Sequence, residues 1–370
     1  MGKYDNYMPI DLLRELSMAF GPSGCEGEVA EIIREYVTPL ADEVTSDRLG
    51  TVIAVYRGSE EAKKARIGDP DAEPDTIEGV PEIDRLMFAA HMDEVGFMIK
   101  SIDGDGYIKI AALSGKNPNT LSGRNVMIGN EKKHVNGYFG VKPTHLGGSG
   151  GFDSLYIDIG AKNKEEAESL VSVGDFGTYR SDFVMFGDGM IKGKALDDRL
   201  GCTVLCTVLK RLRENNVKLP FDVYFAFTVR EEIGSSGAAT AANKIKPDMA
   251  VIIEATAVDG TAGEDKYGSV ARQNDGGCVS FMDKRTIYDR ETYDFIMNTA
   301  SRHNIKAQPK CYVSGGNDAG YVHLSGTGTK CATISVPARY IHTASNVVSE
   351  SDFNSVIDLA YAAVVELARK

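Results

Sequence analysis

The residues of this 370-residue chain that could do chemistry cluster where short apolar runs stop. His91 and Asp93 close RLMFAAHMD, and Asp197 and Asp198 open a helical pattern after KAL. Glu231 and Glu232 end DVYFAFTVREE, Glu254 ends MAVIIE, and His342 follows the strand in SVPARYIH. In open α/β sheets, ligands gather outside the carboxyl ends of the strands. Acids placed directly after apolar β runs lose hydration unless they are paired or bound to a cation. The joint pattern points to a metal site. Taken singly, each residue has a plainer account. A histidine at a strand end satisfies hydrogen bonds, adjacent glutamates form a solvated turn, and acids at a helix start answer its dipole.

The elements that must position these residues follow from periodicity. Asp11–Phe20 and Glu26–Val37 carry apolar residues at three- and four-residue spacing and read as helices. Gly50–Tyr56 reads as a strand. Arg57–Asp84 is charged, aperiodic and Pro-containing, and reads as an exposed loop or insertion. Arg85–Met92 reads as a strand buried on both faces. From Gly96 to about Thr178, short strand-like runs are separated by Gly, Asn and Asp, as in a small all-β module with a flexible GGSGG loop at 147–151. Then Asp197–Leu212 (helix), Asp222–Val229, Met249–Thr256 and Thr333–Val336 (strands) and Asp352–Ala368 (helix) restore an α/β rhythm. The expected fold is α/β, a mostly parallel sheet covered by helices. Residues 1–95 and 179–370 form one discontinuous domain, and 96–178 form an inserted all-β domain.

Composition narrows the class. Hydrophobic residues at 42% and charged ones at 25% suit a globular chain with a sizeable core. The net charge of −12 gives no basic footprint for nucleic acid. No signal peptide stands at the N-terminus. No apolar stretch approaches the roughly 18 residues of a membrane span. Six scattered cysteines do not make a disulfide scaffold, and the expected compartment is the reducing cytoplasm. The GK pair within Gly187–Ala195 lacks the spacing and hydroxyl of a phosphate loop.

HMDEVGFMI, GKALDDRLGC, VREEIGSSGA, SGGNDAG and VPARYIHT resemble, in order, the glutamyl/deblocking aminopeptidase family of di-zinc metallopeptidases, some of whose relatives carry the endoglucanase label. GVKPTHL and LYIDIGAKNKEEAE are similar to that family's inserted domain. The resemblance implies two divalent ions, zinc or alternatively cobalt. Ions about 3.5–4 Å apart need a carboxylate reaching both, a role that would fall to Asp197. His91 and Glu254 would complete one ion, and Glu232 and His342 the other. Imidazole and carboxylate without thiolate suit a hydrolytic site with positions open to water. Glu231 would be the general base and Asp93 would orient His91. Where the family usually has Asp, this chain has Glu254. The substrates implied are short peptides, and the assembly is dimers built into a hollow dodecamer through the β module.

Two other enzymes stay open at this point. An amidase or deacylase could use the same metals. A glycosidase would need two carboxylates about 5–9.5 Å apart across a sugar bond, whereas Glu231 and Glu232 are adjacent and the chain has no Trp. His145 reads as structural, and His134, His303 and His323 match no catalytic motif. The turn Gly315–Asp318 is a candidate lining of the cleft.

Overall fold

The computed structural model describes residues 3–4, 6–67, 82–115, 120–146, 154–258, 270–313 and 315–369. The fold is mixed α/β, with one large sheet and one small closed barrel. At the centre of the sheet, Asp222–Thr228, Arg85–His91, Met249–Ala257 and Lys330–Arg339 lie side by side and parallel. Their flanks run antiparallel. Val52–Tyr56 and Glu43–Ser46 extend one side, and Asn346–Ser349, Met190–Gly193 and Val184–Phe186 the other. The sheet is therefore mixed, with its parallel part confined to the middle. Val52–Tyr56 matches the strand expected over Gly50–Tyr56, whereas the other flanking strands are segments of three or four residues that periodicity passes over.

Arg85–His91 explains how the sheet is covered. Side chains alternate across a strand. Leu86, Phe88 and Ala90 enter a large core with the helices Pro9–Met18, Gly27–Val37, Leu196–Glu214 and Glu350–Leu367. Met87 and Ala89 enter a second core, under Ser236–Ile245 and Ala319–Val322. Burying one side chain such as Phe88 contributes about 1.5–3 kcal/mol. Both faces being dry forces the polar residues of these strands to their ends, where the site forms.

The barrel closes in the order Gly96–Ile102, Ile108–Leu113, Leu155–Asp158, Lys133–Val141, Asn125–Asn130 and Phe176–Tyr179. Its interior is a separate apolar cluster that includes Phe97, Ile108, Val126, Ile128, Phe139 and Ile157. The barrel region also holds a helix, Lys164–Leu170, where only strands are expected from sequence. Asn163 caps it by accepting from the Glu166 amide.

A second correction concerns Arg57–Asp84. Its first part is a helix, Glu60–Ile67, rather than a loop. EEAKKARI has the composition for it, with two glutamates in the first turn and lysines following. Residues 68–81 and the GGSGG loop lie outside the described residues. Among the described residues no helix is long and apolar enough to cross a membrane.

Candidate active site

Each candidate arrives from a different element. His91 is the last residue of its strand, and Asp93 stands in the turn beyond it. Asp197 lies in the first turn of Leu196–Glu214, where its φ/ψ of −86°/105° is not helical, and the Asp197–Asp198 peptide is cis. Glu231 and Glu232 occupy the connection after Asp222–Thr228, entered through Arg230 at φ 60°. Glu254 sits inside its strand, which runs to Ala257, one residue beyond the Met249–Thr256 expected from sequence. The β-branched and small residues ATA continue the pairing with Lys330–Arg339. His342 is in the loop after that strand at φ 62°, a region that non-glycine residues rarely enter.

The structure brings all seven together. His91 Nε2 is 3.1 Å from Asp197 Oδ1 and 3.6 Å from Glu254 Oε1. On the other side, His342 Nε2 is 3.2 Å from Asp197 Oδ2 and 3.5 Å from Glu232 Oε1. The side chains thus form two three-residue groups, His91–Asp197–Glu254 and Asp197–Glu232–His342, and Asp197 belongs to both. The shared carboxylate turns one oxygen to each histidine.

Asp93 lies beneath them, fully buried. Its Oδ1 accepts from the Glu231 amide at 2.9 Å and its Oδ2 from the Glu232 amide at 3.1 Å and the Ser23 hydroxyl at 2.6 Å. His91 Nδ1 is 3.0 Å from the Asp93 carbonyl oxygen and 3.4 Å from its Oδ1. That contact places the Nδ1 proton and turns Nε2 toward Asp197. Burial works against the Asp93 charge, yet His91, Ser23 and the Glu231 amide hold its carboxyl below the usual range.

The remaining acids feel one another. Desolvation pushes Glu254 up to about 8 and Glu232 up to about 7, in both cases opposed by a histidine. Desolvation also raises Glu231 well above an ordinary glutamate, with Glu254, Asp318 and Glu232 adding repulsion. At His342 burial is outweighed by Asp197 and Glu232, which lift it to about 9. Asp197 resists its own burial because both histidines bond to it, and it stays strongly acidic. A nest of like charges held this close needs positive charge.

Further residues join the site, some of them singled out in the sequence only as part of a turn and others not at all. Ser235, at φ 54°, points its hydroxyl at Glu231 Oε1, 3.3 Å away. Asp318 of the candidate cleft turn is buried, accepts from the Thr228 hydroxyl at 2.5 Å, and is pushed up to about 6 by burial. Asn317 holds that turn by accepting from the Ala319 amide at 2.8 Å. Ser114, from the barrel, donates to Glu232 Oε2 at 2.7 Å. Single hydroxyls have no spacing to recognise, and only the folded chain identifies them. The other histidines stay outside the two groups. His134 packs on Phe20, His303 meets Glu366 at 2.8 Å, His323 faces the Ala319 carbonyl at 2.7 Å, and His145 lies in the short 3-10 turn Thr144–Leu146.

The comparisons with known proteins bear on the same residues. A family model described as M42 glutamyl aminopeptidase matches residues 76–359, which include all seven site residues. The chain belongs to that family. As an M42 member it is a peptide hydrolase, and several of its relatives are named aminopeptidases. It is 28% identical to the lysyl aminopeptidase of Pyrococcus furiosus over 96% of this chain and 97% of that protein. The TET aminopeptidase of the archaeon Thaumarchaeota archaeon SCGC AB-539-E09 superposes with a TM-score of 0.87, 31% identity and 98% coverage of both chains. The TET1 peptidase of Pyrococcus horikoshii, described as assembling into a tetrahedron or a large octahedral shell, gives 0.82 at 27% identity, over 97% of this chain and all of that one. A Thermotoga maritima protein named endoglucanase gives 0.74 at 30% identity over 96% of each.

Proposed function

We propose that this M42 chain is a two-metal aminopeptidase that removes N-terminal residues from short peptides. The observation that carries the reading is the shared carboxylate, with Asp197 Oδ1 and Oδ2 each about equally near a different histidine. The donor set fits two divalent ions. It is imidazole and carboxylate, both groups are compact, and Glu232 Oε1 is buried without a hydrogen-bond donor among the described residues. His91 and Glu254 would hold one ion, Glu232 and His342 the other, and Asp197 both. Zinc, or cobalt in its place, supplies a Lewis acid for the scissile carbonyl and lowers the pKa of water to near neutrality.

The chain's own residues do the proton work. Glu231 is near these groups yet belongs to neither, and its raised proton affinity suits a base operating near neutral pH. It accepts the proton of the attacking water and returns it to the leaving amine. The Ser235 hydroxyl orients the Glu231 carboxylate for that exchange. Asp93 fixes the His91 ring and both backbone amides of the Glu231–Glu232 turn. The carboxylates of the cleft favour a substrate with a free, positively charged α-amine, which separates this reading from an amidase acting on acylated amino acids. Adjacent glutamates whose backbone amides share one aspartate also do not form the two-sided acid pair of a glycosidase.

Three wider readings accompany this one. Residues 96–178 are an inserted unit between 1–95 and 179–370, supported by a barrel closed around its own core. The insert would pair subunits, and dimers would build a hollow dodecamer, the state named for a similar TET1 structure. The six cysteines are free thiols, which suits the reducing cytoplasm. The test of the catalytic reading is Glu231→Gln. Turnover should fall by about 10²–10⁴-fold, the range of a positioned general base, while zinc content stays near two per chain. Activity close to that of the parent would remove Glu231 from the role.

A further inference from the structure

We infer that Ser114, a residue of the barrel, is a positioning residue for Glu232: it takes up one oxygen of that carboxylate and leaves the other to the metal. The inference rests on the two-metal reading above. Ser114 follows the last residue of Ile108–Leu113. Its Oγ donates to Glu232 Oε2 at 2.7 Å. The second oxygen, Oε1, is buried, has no hydrogen-bond donor among the described residues, and faces His342 Nε2 at 3.5 Å. The two oxygens of Glu232 therefore divide their tasks.

The backbone makes a chance contact a poor explanation. Ser114 has φ 75°, in the left-handed region where glycine is the default residue. A side-chain-bearing residue persists there when its surroundings over-determine it, and such positions gather at functional sites. The hydroxyl on Glu232 is what a glycine could not provide. With Oε2 held by the hydroxyl, Glu232 would offer Oε1 to an ion and favour binding through that single atom. Ser114 belongs to neither three-residue group and acts through Glu232. It also makes the barrel a part of the site.

Ser114→Gly and Ser114→Ala of the full chain, stripped of metal and titrated with zinc alone against a chromophoric chelator, test this. Two steps are expected for the parent protein. Both variants should weaken one step by about 10–100-fold, the usual effect of losing a partner of a metal ligand, and leave the other unchanged. The thermal midpoint of metal-free Ser114→Gly should equal or exceed the parent value, because the strained backbone is relieved. A merely structural serine predicts the reverse, namely a lower midpoint with both zinc steps intact. Either that result or two unchanged steps in both variants would overturn the inference. A parent protein that takes up no zinc would instead overturn the two-metal reading, and the inference with it.

Discussion

At the scale of residues, Asp93 joins the two halves of the site. One carboxylate accepts the Ser23 hydroxyl and the amides of Glu231 and Glu232, while the same residue's carbonyl and carboxylate face His91. Removing it frees the His91 ring and the turn that carries base and ligand at once. Asp93→Ala should weaken zinc binding by about 10–100-fold, and chelator competition measures it. Zinc affinity equal to that of the parent would show that the tie is dispensable. The acids and histidines were legible in the sequence because they interrupt apolar runs. Ser23, Ser235, Thr228 and Ser114 were not, since a lone hydroxyl interrupts nothing. Glu254 was legible both as an acid and as part of the strand expected over Met249–Thr256, which ends one residue later at Ala257.

At the scale of elements, a buried ion network fixes the helix that delivers Asp197. Glu94 Oε1 is 2.5 Å from Lys194 Nζ and 3.5 Å from Arg199 Nη2, and Thr178 of the barrel donates to Glu94 Oε2 at 2.7 Å. Lys194 also bonds the Ala19 carbonyl at 2.8 Å, and Arg199 the Met92 carbonyl at 2.6 Å and the Leu16 carbonyl. Barrel, N-terminal helix and the first turn of Leu196–Glu214 thus meet at one carboxylate. Glu94→Gln leaves two buried cations uncompensated and should destabilise the fold by about 3–5 kcal/mol in urea unfolding, and a loss below about 1 kcal/mol would contradict this account. The long elements were legible because their apolar residues repeat over several turns or strand residues. The flanking strands other than Val52–Tyr56, and the helix Glu60–Ile67, were not. Those strands are only three or four residues long, too short to show a period, and the helix looks polar all round.

At the scale of the whole molecule, the excess of acid acquires a location. The chain carries a net charge of −12, and five of its carboxylates, those of Asp93, Asp197, Glu231, Glu232 and Glu254, crowd around two histidines. Two divalent ions would offset much of that local charge. Assembly is the other molecular property. Light scattering at micromolar concentration should give a mass many times that of one chain, and a single-chain mass would contradict the hollow dodecamer.

The most direct test of the central claim is a titration of the metal-stripped protein with zinc. Release of the N-terminal residue from a free-amine chromogenic peptide is followed beside its N-acetylated counterpart. No turnover is expected without metal, with activity rising until two equivalents per chain are bound and hydrolysis of the free-amine substrate alone. Turnover by the stripped protein, saturation at one equivalent, or a preference for the acetylated peptide would contradict that claim.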